Sequence, residues 1–203
     1  MPSINLNKEM AVVILAAGAG SRMGKIKQLL PGSKRSFLEE IIEKAMKLET
    51  SNVFVTIGAH AETIKPRITH FPVEIIINKN WQKGLGNSIA FSTGYIMEFS
   101  KEINAILFVL VDQPLIDLEY YKQLINKYID NKKNIVCSNY NNTPGVPAVF
   151  GKMYFKDLNE LTGDVGAKKI LMANIGDVEL LEEQNNLLDI DNLDDYSDYL
   201  NSI

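Results

Sequence analysis

One cysteine is all this chain of 203 residues has, so Cys137 can close no disulfide within the chain and no cysteine-based metal cluster is expected. It lies in a stretch that reads as strand, where a free cysteine is ordinarily a small core residue. Histidine is almost as scarce. His60 and His70 read as a loop residue and a helix-end residue, which argues against chemistry built on imidazole. Basic surplus is missing too: 21 Lys+Arg stand against 25 Asp+Glu, a net charge of −4 that gives no general attraction to nucleic acid. A bound polyphosphate must then be held locally. The longest apolar run, residues 105–111, is too short to span a bilayer, and residues 1–8 lack the apolar stretch of a signal peptide, so no membrane association is expected and the cytoplasm is the expected compartment. No repeat, low-complexity tract or linker divides the sequence, and one domain over residues 1–203 is expected.

What is present alternates. Residues 10–16 form a continuous apolar run, the pattern of a parallel strand buried on both faces. Ser36-Phe-Leu-Glu39 has capping-box spacing ahead of Leu38, Ile41, Ile42, Ala45 and Met46, which predicts a helix over 36–49. Strands are expected at 52–58 and 73–77 around a short helical segment interrupted near Pro66. A helix over 87–99, the most apolar strand at 105–112, a helix over 117–131 and a strand at 134–138 follow. Residues 139–147, with two prolines, a glycine and three asparagines, read as a loop. The order predicts a three-layer α/β/α fold of Rossmann-like type around a mainly parallel sheet, in which ligands sit beyond the carboxyl ends of the strands.

Two strand ends carry candidate chemistry. After the first strand comes Leu15-Ala-Ala-Gly18-Ala-Gly20-Ser-Arg22-Met-Gly24-Lys-Ile-Lys27, where glycines let backbone amides approach an anion while Arg22 and Lys27 supply charge. A tight strand-to-helix turn with solvated basic residues is the alternative. Walker A is excluded, because three residues rather than four separate Gly20 from Gly24 and Ile26 follows Lys25. The dinucleotide fingerprint is excluded by the lack of an acid after the second strand. Asp112 ends the apolar strand at the same rim, where it suits a hard cation such as Mg²⁺ or opens a turn into Pro114. A second acid is expected from Asp189-Ile-Asp191, with alternation on a short strand placing both carboxylates on one side; a solvated acidic tail is the competing reading. Trp81 reads as packing ahead of Gly84, with ring stacking as the other option. Lys168 either reaches an acceptor phosphate or is solvated at a helix start.

These residues resemble the molybdenum-cofactor nucleotidyltransferases, which include the cytidylyl- and guanylyltransferases of molybdopterin. The segment 15–30 is similar to the family signature. Asn78-Lys-Asn-Trp81-Gln-Lys-Gly84-Leu-Gly86-Asn-Ser88, Val111-Asp-Gln-Pro114, Gly145-Val-Pro147, Leu161-Thr-Gly-Asp-Val-Gly-Ala-Lys168 and Asp189-Ile-Asp191 follow in the family's order. The resemblance implies a glycosyltransferase-A-type fold and transfer of NMP from a nucleoside triphosphate to a phosphorylated acceptor, with release of pyrophosphate. It implies that Leu15, Ala16, Ala17 and Gly18 line the nucleotide, that Arg22 and Lys27 hold the triphosphate, that Asp112 and Asp191 hold Mg²⁺, and that Asn78, Gly84 and Ser88 enclose base and ribose. Arg22, Lys27 and Asp112 would then carry catalysis. Ala17 matches the cytidylyl branch and favours CTP over GTP.

Two departures from the pattern stand out. Val146 replaces a histidine on the acceptor side, and Asn192-Leu193 replaces Thr-Pro after the last aspartate. The expected acceptor is molybdopterin, with transient contact to a molybdoenzyme or maturation factor. Methylerythritol phosphate or a sugar phosphate is the alternative acceptor, and a non-catalytic nucleotide- or cofactor-binding maturation factor the alternative function.

Overall fold

The computed structural model describes residues 6–20, 23–182 and 187–203. A short helix α1 (Leu6–Glu9) leads into β1 (Met10–Ala16), whose seven residues are all buried. Then follow α2 (Phe37–Ala45), β2 (Asn52–Ile57), α3 (Ala61–Ile68), β3 (Glu74–Ile77), α4 (Leu85–Phe99), β4 (Ala105–Leu110), α5 (Leu118–Asp130), β5 (Ile135–Tyr140), β6 (Thr143–Gly151), α6 (Phe155–Asn159), α7 (Lys168–Ala173), β7 (Val178–Leu181) and α8 (Leu193–Ser202). The strands form a seven-stranded sheet in the order β3-β2-β1-β4-β6-β5-β7. All pairings are parallel except those of β6, which runs antiparallel to both β4 and β5.

Alternation along β1 explains the three layers. Met10, Val12, Ile14 and Ala16 pack into one core with α2, α3, α5 and α8, while Ala11, Val13 and Leu15 pack into a second with α4, α6 and α7. Each strand residue thus meets a helix on whichever face it points to, which is why the run shows no polar positions. The chain order reverses at β1, between β2 and β4. There the helices connecting successive strands leave opposite faces of the sheet, opening a crevice at the strand tips.

The helices start where their caps place them. Ser36 forms both halves of a capping box with Glu39, and Asp117 caps α5 through Tyr120 N. The helix expected over 36–49 stops at Ala45; Leu48 N bonds Ala45 O in a tight turn, and Glu49 takes a φ of 52° to turn the chain into β2. Pro66, expected to interrupt, sits inside α3 on its exposed side, where water can satisfy the carbonyl it leaves free.

The largest correction concerns residues 139–147. They form most of a hairpin, not a loop. Asn141 and Asn142 have φ of 50° and 65° between the paired Tyr140 and Thr143, the two-residue turn that asparagine tolerates best. Pro144 and Pro147 escape the usual ban on proline in strands because β4 pairs only with residues 148–151, so neither proline owes it a donor. Residues 189–191, expected as a short strand, lie outside the sheet, although Ile190 N bonds Asp112 O at 2.8 Å. Cys137 is a buried residue of β5, as its apolar setting suggested.

Candidate active site

At the tips of β1 and β4 lies a cavity of about 370 Å³, of a size for a mononucleotide. Parallel pairing sets its floor: Leu15 is in register with Leu110, and Val111 N bonds Leu15 O. The glycine loop and Asp112 are therefore neighbours although Gly20 and Asp112 are 92 positions apart in the sequence.

The loop is fixed from three sides. Gln28, 2% exposed, donates from Nε2 to Ala16 O at 2.9 Å and to Gly18 O at 2.7 Å. Ala59 N bonds Ala17 O, and His60 Nε2 donates to Ala19 O at 3.0 Å. Gly20 turns the chain with a φ of 60°, and a Cβ there would meet Lys25 O and Lys27 Cβ at 3.3 Å. Glycine at this point lets the chain fold back so that the one-turn helix at Lys27–Leu29 stands against the loop.

Lys27 joins the two carboxylates. Its Nζ lies 2.8 Å from Asp191 Oδ1 and 3.3 Å from Asp112 Oδ2, and its side chain is 10% exposed. Burial pulls the ammonium pKa down, but the Asp112 charge and the hydrogen bond to Asp191 outweigh it, so Lys27 stays protonated above its ordinary value. Asp112 Oδ1 is buried without a hydrogen-bond partner among the described residues. Asp191 belongs to no solvated tail: Asp195 Oδ2 accepts from Asp191 N and Asn192 N, and the Asn192 side chain caps α8 through Asp194 N and Asp195 N. Tyr196 and Tyr199 pack on Phe37, docking that helix against α2 and holding Asp191 over Lys27.

Of the residues expected at the site, Leu15, Ala17, Gly18, Lys27, Gly84, Ser88 and Asp112 line the cavity. Arg22 lies outside the described residues. Ala16 turns its side chain into the core and meets the site only through its carbonyl. Asn78 is not among the residues lining the cavity: it is 0% exposed, and its Nδ2 donates to Asn87 Oδ1 and Ser88 Oγ while Oδ1 accepts from Asn80 N, so it braces the loop before α4. Trp81 lines the cavity and packs so closely on Gly58 that a Cβ there would lie 2.6 Å from its own. Lys168 is exposed at the start of α7.

Sequence reasoning missed three members. Gln28 is a buried polar residue directly after the basic loop, a signal that was legible. Asp164 lines the cavity; Gly163 and Gly166 flank it with φ of 75° and 61°, and two such glycines around an acid could have marked it. Gln113, 1% exposed, donates from Nε2 to Asp189 Oδ1 and to the Tyr140 hydroxyl, which in turn donates to Val146 O. Asp189 is solvent-exposed as a residue, yet the protein around its carboxyl and the nearby Asp112 charge raise its pKa against the lowering pull of Gln113.

Residues 12–178 match the sequence profile of the MobA-like NTP transferase domain. Nicotine blue oxidoreductase of Paenarthrobacter nicotinovorans is 37% identical over 103 residues, which make up 50% of this chain and 48% of that protein; the match thus spans about half the length of that relative. Rv0371c from Mycobacterium tuberculosis H37Rv superposes with a TM-score of 0.83 at 23% identity, over 96% of this chain and 98% of that one. Its complex with manganese superposes at 0.80, with 22% identity over 96% and 99%. An Rv0371c homolog from Mycobacterium sp. strain JC1 gives 0.80 at 27% identity, over 97% and 98%. The matched profile takes in the glycine loop, Lys27, Asp112 and the loop carrying Asp164, and on that match the chain belongs to the MobA-like NTP transferase family.

Proposed function

We infer that the chain is a Mg²⁺-dependent nucleotidyltransferase that moves NMP, with CTP as the favoured donor, onto a phosphorylated acceptor of the molybdopterin type and releases pyrophosphate. It does so on one domain spanning residues 1–203 in the cytoplasm, without nucleic acid or membrane as partner and with transient contact to a molybdoenzyme or maturation factor. The observation that carries this reading is the meeting of Lys27, Asp112 and Asp191 beside a glycine loop at the rim of a nucleotide-sized cavity.

The donor set suits a hard divalent cation. Two carboxylates converge on one ammonium, and Asp112 offers a further oxygen with no hydrogen bond among the described residues; Mg²⁺ commonly takes one or two protein carboxylates and completes its shell with water and phosphate oxygens. The manganese complex of Rv0371c supports a divalent ion in this fold. Asp112 and Asp191 would hold it, and bound there it would neutralise phosphate charge and orient the α-phosphate.

The chain's own groups do the rest. Leu15, Ala17 and Gly18, with Gly84 and Ser88 in the same lining, would enclose base and ribose. Lys27, and Arg22 from the loop, counter the charge that grows on the leaving pyrophosphate. The acceptor phosphate is already anionic at neutral pH, so its oxygen attacks the α-phosphorus without a general base while the bond to the β-phosphate breaks. His60 is engaged with Ala19 O, and no proton transfer is asked of it.

Pyrophosphate release from a panel of nucleotides, with molybdopterin present or absent, tests the reading. Turnover that needs a divalent metal and an acceptor supports it, whereas methylerythritol phosphate or a sugar phosphate working in place of molybdopterin would reassign the acceptor. A second reading draws on the 37% identity to a relative named as an oxidoreductase. NAD(P)H oxidation with a quinone-like dye, in the absence of any pyrophosphate release, would favour it. Tight nucleotide binding without turnover of either kind would point to a binding factor.

A further inference from the structure

The ammonium of Lys27 lies within hydrogen-bond distance of one oxygen on each of the two carboxylates proposed to hold a divalent ion. Nζ is 2.8 Å from Asp191 Oδ1 and 3.3 Å from Asp112 Oδ2. A small hard cation approaches a carboxylate oxygen to about 2.0–2.1 Å. Even a metal taken by the other oxygen of Asp112 would sit within a few Å of the ammonium on the same two carboxylates, and the lysine side chain, 10% exposed, is poorly screened by water. Each cation therefore weakens the hold of the other.

The surroundings say which gives way and when. The backbone of Asp191 is braced by Asp195 at the start of α8, and that of Asp112 by the hydrogen bond from Ile190 N to its carbonyl, so each carboxylate can move only as far as a short aspartate side chain allows. Lys27 is the mobile partner. Its backbone is fixed in a one-turn helix, its four-carbon stem can rotate, and it lines the same cavity as Gly18 and Gly20 of the adjacent glycine loop. A polyphosphate in that cavity would offer Lys27 a second set of anionic oxygens.

We propose that Lys27 and the divalent cation compete for the Asp112 and Asp191 carboxylates, so that the metal enters as its complex with the nucleotide, whose phosphates draw Lys27 aside. The inference rests on the nucleotidyltransferase reading for its ligand but concerns a property of the free protein. Without nucleotide, the lysine occupies the acids and the metal binds weakly. With nucleotide, displacement and metal entry favour each other, and the coupling is reciprocal.

Mn²⁺ is the probe. Its affinity for the full chain, read from the free-ion electron paramagnetic resonance signal without nucleotide, is expected to rise about tenfold or more in Lys27→Met. The gain should vanish when Asp112→Asn is added. Lys25→Met, which removes an exposed charge nearby, measures the through-space effect alone and should change affinity far less. In the unaltered protein, reductive methylation of Lys27 followed by peptide mass spectrometry should speed up severalfold on saturation with Mn²⁺, as the ammonium is released. An affinity in Lys27→Met no greater than in the Lys25→Met control, or methylation indifferent to saturating Mn²⁺, overturns the competition. The outcomes separate the two claims: pyrophosphate release with indifferent Mn²⁺ affinity sinks only this inference, and competition without release from any nucleotide sinks only the proposed function.

Discussion

Gln113 Nε2 lies 2.7 Å from Asp189 Oδ1, and the same nitrogen reaches the Tyr140 hydroxyl at 2.7 Å. One buried amide thus connects the turn carrying Asp112, the segment carrying Asp191 and the hairpin carrying Val146. Replacing it with leucine leaves a carboxylate and a hydroxyl without their donor. Gln113→Leu is expected to lower transfer about 10–100-fold, the usual effect of losing a group that orients metal ligands. Gln113→Glu should be worse, because it sets a carboxylate against Asp189. Steady-state rates beside urea melts check both, and a Gln113→Glu protein as active as the unaltered one would refute the connection.

Asp112→Asn keeps the shape of the side chain and removes its charge. If Asp112 serves metal and phosphate as proposed, pyrophosphate release should fall by about a hundredfold or more. The fold should persist, since Asn can still hold part of the contact to Lys27. Circular dichroism and the release assay on one preparation decide it.

Gly84 has φ 94° and ψ −178°, a region open in practice only to glycine. A Cβ there would sit 2.1 Å from Asp164 Oδ1 and 2.6 Å from the Gly163 carbonyl. Gly84→Ala is expected to cost about 1–3 kcal/mol in strain and to push the loop at 162–164 outward. A raised KM for nucleotide with a lowered melting temperature is the expected pair of results.

Burial pushes the Cys137 thiol up to about 12, against a smaller lowering pull from the Gly145 backbone. The thiolate is the reactive species, so the native protein should resist thiol reagents at pH 8 and react fully once denatured. Rapid labelling of the folded chain would contradict the packing of β5.

Asp177 supplies a pH dependence. Its partial burial favours the neutral acid, but hydrogen bonds from the Tyr154 hydroxyl and from Asn134 N and Nδ2 outweigh that and hold the carboxyl below its ordinary value of 3.8. A depressed folded pKa means the contribution is complete above the unfolded value and fades as pH drops through the folded one. The urea midpoint of Asp177→Asn should therefore trail that of the unaltered protein at pH 7 and approach it below about pH 3.8.

Much of this was legible in the order of residues because local rules set it. The run at 10–16 and the run ending before Asp112 have no polar positions because both faces are covered, and that their tips share one rim follows once both are parallel strands of one sheet. The capping box at Ser36 is local as well. What escaped depends on distant partners. Asn78 looked like a ligand-facing amide, but whether it faces a cavity or Ser88 is decided by how α4 leaves its loop. Gln113 meets Asp189 at a separation of 76 residues, which no periodicity reports. The hairpin was hidden by its own prolines, since which side of a strand lacks a neighbour is a property of the finished sheet.

The contact between Lys27 and Asp191 spans 164 positions of the chain. During synthesis the loop and Asp112 would emerge and pair long before the last acid leaves the ribosome. The constellation is therefore assembled only once residue 191 can fold back onto the loop, so a product that stops short of that residue would keep Lys27 and Asp112 but lack their second acid.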